Sequence, residues 1–181
     1  MSTITQLTAE QFEHSKDAPR HSELVHGRVL ELTPPGYEHG SIQVAIGSLL
    51  RAWARRTDLG GVVSEVGFVL SRDPDTVRAP DVAFLRRERL PTPRPRGYIE
   101  GPPDLAVEIR SPSDRPRRVA EAVADYLAAG TPVVWVVDPG QRTVAVHRPS
   151  APREVYGVGD VLDGGRELPG LSVGVGELLD L

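Results

Sequence analysis

Apolar residues near the N-terminus occur in two short clusters separated by turn-forming residues. Thr8 and Gln11 have the spacing of a capping box, which predicts a short helix starting after Thr8. Residues 22–33 carry apolar side chains on both sides of His26-Gly27. Because a two-residue turn containing glycine commonly joins paired strands, this pattern predicts a tight β-hairpin.

From Glu38 the apolar residues recur every three or four positions as far as Trp53. This spacing places them on one face of a long amphipathic helix, which Gly60-Gly61 is expected to end. Apolar stretches of strand length follow, separated by turn-forming residues. They predict strands at 62–70, 79–85 and 105–109.

The second half of the chain predicts a strand–helix–strand unit. Residues 86–103 are rich in proline and arginine and predict an exposed loop. Ser113-Asp114 is expected to cap a helix that ends near Ala129. Strands are predicted at 133–137 and 143–147, with short edge strands and a final helical turn in 154–181. Because such a unit joins parallel strands by a right-handed crossover, we predict an α/β fold with a mixed sheet.

The composition predicts a single globular domain spanning 1–181. Hydrophobic residues make up 39% of the 181 residues and charged residues 25%, which is too apolar for a disordered chain. Residues 1–16 lack the apolar core of a signal peptide, and no apolar run approaches the roughly 20 residues that span a bilayer. We therefore expect a cytoplasmic protein with no membrane partner.

The charged residues restrict the chemistry further. The absence of cysteine excludes disulfides and thiolate metal sites, so any metal would be held by oxygen or imidazole ligands. The net charge is −4, whereas proteins that coat duplex DNA are usually basic. Lys16 is the only lysine of the chain, so a mechanism that depends on lysine would have to use another residue.

Asp81 and Glu108 each interrupt an apolar predicted strand. A charge buried in this way is costly unless it is paired or bound to a metal. If the two strands are neighbours, the carboxylates repel each other, and Mg²⁺ or Mn²⁺ would relieve the repulsion. Arg110 shares a strand face with Glu108, because side chains two residues apart point the same way. Such a trio suits metal-assisted phosphodiester hydrolysis, and the alternative is a structural ion pair with Arg110.

Other polar residues give weaker signals. The five histidines form no HxH or HExxH pair, which disfavours a zinc hydrolase, and His39 at a helix start has a structural or a catalytic role. Ser111-Pro112-Ser113 lacks the context of a serine nucleophile, so capping by Ser113 is favoured. The arginines between Arg86 and Arg96 either contact phosphates or belong to a solvated loop.

Several short segments occur in a characteristic order along nearly the whole chain. They are Glu23-Leu24-Val25-His26-Gly27, Glu38-His39-Gly40, Pro80-Asp81-Val82, Pro103-Asp104-Leu105-Ala106-Val107-Glu108-Ile109-Arg110-Ser111-Pro112-Ser113, Tyr126-Leu127-Ala128-Ala129-Gly130-Thr131-Pro132 and Trp135-Val136-Val137-Asp138-Pro139. Pro80-Asp81 followed by Glu108-x-Arg110 resembles the PD-(D/E)xK nuclease signature. That signature alone is weakly specific, but the ordered set resembles the Uma-two family of restriction-endonuclease-like bacterial proteins.

The resemblance implies a restriction-endonuclease-like mixed β-sheet core flanked by helices, with an N-terminal β-hairpin. It implies an Mg²⁺ or Mn²⁺ ion at Asp81 and Glu108, with the backbone carbonyl of Ile109 as a third ligand. Glu23 and His39 match family residues near the site. Members of the family often carry a lysine on the helix after the glutamate, where this chain has Ala122.

The missing lysine leaves the identity of the cation open between Arg110 and Arg118. Arginine clamps phosphate well but is a poor proton-transfer group, so it can replace lysine in stabilising phosphate but not in base-like roles. The leading hypothesis is a metal-dependent endonuclease that acts on nucleic acid, with DNA as the expected substrate. It is expected to act as a homodimer. The second is a degenerate nuclease fold that binds nucleic acid or a protein partner without cleavage. A purely structural role would leave Asp81 and Glu108 unexplained.

Overall fold

The computed structural model describes residues 6–112 and 114–180, which form four α-helices, a short 3₁₀ helix at Arg87–Arg89 and thirteen strands. The helices are α1 Ala9–Glu13, α2 Tyr37–Thr57, α3 Pro116–Ala129 and α4 Val175–Leu179. The strands are β1 Ser22–Val25, β2 Arg28–Glu31, β3 Gly60–Val63, β4 Phe68–Ser71, β5 Thr76–Arg78, β6 Val82–Arg86, β7 Ile99–Glu100, β8 Leu105–Ile109, β9 Val133–Asp138, β10 Thr143–His147, β11 Glu154–Gly157, β12 Val161–Asp163 and β13 Ser172–Gly174.

The strands form a five-stranded sheet in the order β2-β1-β5-β4-β7, a six-stranded sheet in the order β11-β10-β9-β8-β6-β3, and a two-stranded sheet of β12 and β13. In the six-stranded sheet β8 and β9 run parallel and are connected through α3, whereas β6 and β8 are antiparallel. The predicted mixed sheet flanked by helices is therefore confirmed. The chain passes from the five-stranded to the six-stranded sheet between Arg78 and Val82.

The two faces of β8 are covered by different helices, as the period of two in a strand requires. Val107 and Ile109 pack with the apolar stripe of α2, which includes Ile46 and Trp53. Ala106 packs on the opposite face with residues of α3, among them Tyr126. Glu108 shares the α3 face with Ala106, so the strand presents its carboxylate toward that helix.

Several predicted elements are confirmed. The side chain of Thr8 accepts a hydrogen bond from the backbone of Gln11, and the capping box is complete at the start of α1. The hairpin of β1 and β2 turns at His26 and Gly27, both of which have positive φ. Strands β8 and β10 have the predicted bounds, and the C-terminal region contains short strands and α4.

The prediction of one strand at 62–70 is wrong. The segment divides into β3 and β4, which belong to different sheets. Glu65, between them, has a φ of 54°, a left-handed conformation that interrupts an extended strand. The side-chain hydroxyl of Ser64 donates to the carbonyl of Asp81 at 2.9 Å, so the break between the strands lies against the residue that precedes β6. Ser64, Glu65 and Gly67 interrupt the apolar residues of this segment, but the pattern does not indicate a change of sheet.

Gly60-Gly61 does not end α2, contrary to the prediction. The helix ends at Thr57, and Asp58 adopts the left-handed conformation with a φ of 58°. Gly60 and Gly61 begin β3, which pairs with β6. A Cβ atom on Gly60 would lie 2.0 Å from the carbonyl oxygen of Leu85, so glycine is required by the close approach of the two strands.

The predicted strand at 79–85 begins later, at Val82, so Asp81 lies immediately before β6 and not inside it. The predicted loop at 86–103 contains the 3₁₀ helix and the two residues of β7. Helix α3 begins at Pro116, and its N-cap residue Arg115 makes no side-chain capping bond. The capping role predicted for Ser113 falls outside the described residues. Across the described part of the chain, no helix has the length and apolar character needed to cross a membrane.

Candidate active site

A cleft of about 280 Å³ opens where the two larger sheets meet α2 and α3. Acidic residues that line it are Glu23, Glu65, Asp81, Glu108 and Asp114. Basic residues that line it are Arg20, His21, His39, Arg78, Arg110 and Arg118. All five residues predicted as catalytic from the sequence are therefore at one cleft, together with Ile109.

Asp81 is held at the cleft by hydrogen bonds to both carboxylate oxygens. Its Oδ2 accepts from the backbone N–H of Ile109 at 2.6 Å, and its Oδ1 lies 2.8 Å from Nε2 of His39. The backbone carbonyl of Asp81 accepts from Gln43 and Ser64. These contacts fix the carboxylate against the end of β8, where Glu108 precedes Ile109.

Glu108 is partly buried, and its Oε1 accepts a hydrogen bond from the hydroxyl of Tyr126 at 2.9 Å. Burial raises the pKa of Glu108 well above its ordinary value, and the negative charges of Asp81 and Glu23 raise it further. The Tyr126 hydroxyl and the Arg78 charge oppose this rise without cancelling it. Within the described residues no salt bridge reaches Glu108, so its carboxylate has no directly paired cation.

His39 lies in the first turn of α2, and its imidazole is largely buried beside Asp81. Burial lowers the pKa of His39, but the hydrogen bond and charge of Asp81, with weaker contributions from Asp114 and Glu65, leave the pKa above its usual value. A protonated His39 would donate to Asp81 and hold one carboxylate oxygen in place. The structure places His39 as a contact of Asp81.

A second polar cluster adjoins these residues. The guanidinium of Arg78 is almost completely buried, with 1% of the side chain exposed. Its Nη1 donates to Glu23 at 2.7 Å, and its Nε and Nη2 donate to Asp125 at 3.0 and 2.6 Å. Glu23 also accepts from the backbone N–H of Ala79 at 3.0 Å. Glu23 thus lies at the cleft, but an internal arginine holds its carboxylate.

Arg110 and Arg118 line the cleft while pairing with other carboxylates. Arg110 forms an ion pair with Asp138 at the end of β9, and Arg118 pairs with Asp114 at 3.2 Å. Neither arginine forms a salt bridge with Asp81 or Glu108 within the described residues. Arg110 therefore does not form the structural ion pair with those carboxylates that the sequence left as the alternative. The Nε of Arg110 is buried and has no hydrogen-bond partner.

The sequence did not single out Arg78, Tyr126 or Arg20 as residues of the site. Arg78 carries the same signal as Asp81, a charge beside apolar strand residues, and could have been found by it. Tyr126 is buried on α3 among apolar residues, and its hydroxyl reaches Glu108 from there. Arg20 is exposed at the cleft and forms no ion pair in the described part of the chain, and no sequence pattern marks it.

The donor atoms at the cleft fit a hard divalent cation. Within the described residues, no three histidine, aspartate or glutamate side chains are arranged as a ligand set. Mg²⁺ does not require one, since it commonly binds through one or two carboxylates and keeps several waters. Such an ion would need two oxygen ligands at one cleft, and Asp81 and Glu108 supply them. The pKa of Glu108 stays raised despite the nearby charge of Arg78, and a bound cation would stabilise its carboxylate.

Comparison with known proteins tests the family and the fold of this chain. A protein-family model named Uma2 and described as "Putative restriction endonuclease" matches residues 9–178. The chain belongs to the Uma2 family. The resemblance to the Uma-two family seen in the sequence motifs is thereby confirmed. A search of curated proteins found no match.

A solved structure supports the fold of this Uma2 protein. A crystal structure from Anabaena variabilis ATCC 29413, described as "a putative nuclease belonging to DUF820", superposes with a TM-score of 0.77 at 24% identity. The alignment covers 87% of this chain and 89% of the other. The restriction-endonuclease-like family generally uses divalent metals. The family supports a nuclease, which implies a nucleic-acid substrate, and the solved structure supports the fold.

Proposed function

We propose that this Uma2 protein is an Mg²⁺- or Mn²⁺-dependent endonuclease that hydrolyses phosphodiester bonds in nucleic acid, with DNA as the proposed substrate. The observation that carries the proposal is the convergence of Asp81 and Glu108 on one cleft, where Asp81 pairs with His39 but no salt bridge reaches Glu108 within the described residues. A structural ion network would contain its own cation, as the neighbouring cluster around Arg78 does. The cleft is also open enough to admit a substrate, with a volume of about 280 Å³.

Asp81 and Glu108 would hold the ion, with the backbone carbonyl of Ile109 as a third ligand. These are all oxygen donors, which suits Mg²⁺ and Mn²⁺. A bound divalent ion in such a site supplies a water of lowered pKa and neutralises charge on the phosphate. The residues around the ligands keep them in position: Tyr126 donates to Glu108, and the N–H of Ile109 donates to Asp81.

The arginines at the cleft are suited to bind the phosphate. Arg20 and Arg118 are accessible there, and we propose Arg110 as the main phosphate contact because it follows β8 directly after Ile109. Arginine remains protonated and donates in a bidentate manner to phosphate oxygens. It does not accept a proton, so a proton released by water must pass to a carboxylate, to His39 or to solvent. Glu23 is held by Arg78 and is proposed to position its neighbours.

The experiment that tests the proposal is nicking of supercoiled plasmid in Mg²⁺ and in Mn²⁺ by the wild type, Glu108→Ala and Glu121→Ala, purified identically. Glu121 is a matched control, because its carboxylate lies on the exposed face of α3 and pairs with Arg117. We expect cleavage by the wild type and Glu121→Ala, and a loss of more than about 100-fold in Glu108→Ala, since even outer-shell partners of a metal site contribute about 10–100-fold. Equal cleavage by all three would point to a contaminating nuclease.

One observation favours binding without cleavage as the second candidate function. No lysine lines the cleft within the described residues, and Arg110 is already paired with Asp138. If the protein binds without cleaving, the wild type would bind labelled oligonucleotide and show a rise in melting temperature with Mn²⁺, but would leave plasmid intact. Absence of both binding and cleavage would contradict both candidates.

A homodimer is proposed by analogy with enzymes that cut two strands through a two-fold axis. Sedimentation of the purified protein tests it directly. The cytoplasmic location and the single domain spanning 1–181 remain predictions from the sequence.

A further inference from the structure

The six-stranded sheet extends beyond the edge of α3 and leaves part of one face uncovered. On this face Val136 of β9 lies beside Ala145 of β10, and Ala145 lies beside Val155 of β11. Val155 is 52% exposed. The same row begins at Glu108, which pairs with Val136 across β8 and β9. An apolar strip therefore leads from the candidate active site to the outer edge of the sheet.

A cleft of about 190 Å³ lies along this strip, between α3 and strands β10 and β11. It meets the first cleft at Arg110 and Val119, which line both. The cleft therefore continues the candidate active site across the sheet. Polar residues mark its two ends: Thr143 pairs with Asp138 near Arg110, and His147 lies four residues further along β10. At about 3.4 Å per residue, the two ends are roughly 13 Å apart.

The far end of this second cleft carries the positive charge of Arg153, and no carboxylate lines the cleft there. His147 lines the same end, and the side chains of His147 and Arg153 form no hydrogen bond or ion pair in the described part of the chain. Burial lowers the pKa of His147, and the charge of Arg153 lowers it further, so Arg153 supplies the charge of this end. At the near end, the buried Nε of Arg110 has no partner. The acidic residue of the cleft, Asp138, is already paired with Arg110.

We propose that the second cleft binds the phosphate backbone of the same nucleic-acid strand that enters the first cleft, beyond the bond that is cut. Arg153 and His147 contact a phosphate there, and the strip of Val136, Ala145 and Val155 contacts sugars or bases. This inference rests on the proposed function and narrows its substrate to a polynucleotide long enough to reach both clefts. Short oligonucleotides that occupy only the first cleft are poor ligands.

The test is equilibrium binding of fluorescein-labelled single-stranded DNA to the full chain in chelator, at several salt concentrations. Oligonucleotides of 4 and 20 nucleotides are compared for the wild type, Arg153→Glu and Arg55→Glu. Arg55 is the matched control, because it is an exposed arginine in the last turn of α2, outside both clefts. The same proteins are assayed for plasmid nicking in Mn²⁺.

We expect Arg153→Glu to weaken binding of the 20-mer by about tenfold and to reduce the slope of log affinity against log salt by about one, because one phosphate contact is lost. Binding of the 4-mer and the affinity of Arg55→Glu should stay unchanged. Equal effects of the two substitutions would overturn the inference, because they would reflect net charge alone.

The two proposals fail in different ways. Nicking by the wild type, together with unchanged 20-mer affinity and salt slope in Arg153→Glu, would overturn this inference and leave the nuclease intact. Failure of the wild type to nick, with Arg153-dependent binding of the 20-mer, would overturn the proposed cleavage and support the second cleft. If the chain sediments as a dimer that Arg153→Glu dissociates, the face binds another copy and the inference is wrong.

Discussion

Two neighbouring polar clusters at the cleft differ in how their charges are balanced. In the first, Arg78 lies between Glu23 and Asp125 and donates to both, so that each nitrogen of its buried guanidinium makes a hydrogen bond. In the second, Asp81 and Glu108 meet with neutral or weakly basic partners, namely the hydroxyl of Tyr126, a backbone N–H and His39. One cluster is complete within the protein, and the other is not.

The difference shows up in the pKa of Glu108. Arg78 lowers this pKa, but burial and the charges of Asp81 and Glu23 raise it by more. The internal cation is therefore committed to its own partners and does not neutralise the second cluster. Proteins rarely bury carboxylates together without a cation, unless one arrives with a ligand or the pKa shift itself is used. The comparison suggests that the Arg78 cluster supports the fold and the Glu108 cluster serves chemistry.

The largest expected effect comes from breaking the complete cluster. Arg78→Met would leave Glu23 and Asp125 without their buried cation, which typically costs about 3–5 kcal/mol of the free energy of unfolding. Arg117→Met is the control, because Arg117 pairs with Glu121 on the exposed face of α3, where such a pair contributes roughly 0.3–0.5 kcal/mol. Urea unfolding measures both. A loss in Arg78→Met no larger than in the control would mean that the cluster does not stabilise the fold.

A smaller effect is expected from loosening the incomplete cluster. Tyr126→Phe removes the hydroxyl that orients Glu108 while keeping the aromatic ring in the core. We expect Mn²⁺ affinity or nicking rate to fall by about 10–100-fold, as is typical for outer-shell partners of metal ligands. Tyr156→Phe is the matched control, since its hydroxyl contacts Glu154 at the surface at 3.4 Å. Unchanged metal affinity and nicking in Tyr126→Phe would assign the hydroxyl a packing role only.

The smallest effect is on stability without metal and depends on pH. The folded-state pKa of Glu108 is raised, so the folded protein holds a proton that the unfolded chain has already lost. Stability therefore falls as the pH rises from the ordinary glutamate value of about 4.3 toward the raised pKa, and it levels off above that. In chelator, Glu108→Gln should remove this decline and melt slightly higher than the wild type at neutral pH. A decline in the variant as steep as in the wild type would contradict the assignment.

The same variant separates a metal site from a purely structural role. Stabilisation of Glu108→Gln in chelator is expected under either interpretation, because a buried charge is removed. Under the nuclease proposal the wild type gains melting temperature with Mn²⁺, and Glu108→Gln loses most of that gain. Equal responses to Mn²⁺ in the two proteins would favour the structural role.

Local sequence determined much of the fold. The hairpin at His26-Gly27, the apolar stripe of α2 and the bounds of β8 follow from periodicity and turn chemistry, which act within a few residues. The same reasoning marked Asp81 and Glu108, because a charge among apolar strand residues is visible without knowing its neighbours. Strand pairing of β6 with β8 then brought the two together as expected.

Tertiary structure alone decided which charges meet. Arg78 reaches Glu23 across 55 positions of the chain, and Arg110 pairs with Asp138 across 28. Those partners are set by the order of strands in two sheets and by the packing of α3, which no local period encodes. The split of 62–70 between two sheets has the same origin, because an apolar strand looks alike in either. The sequence thus specified where charges are buried, and the fold specified which of them remain without a cation.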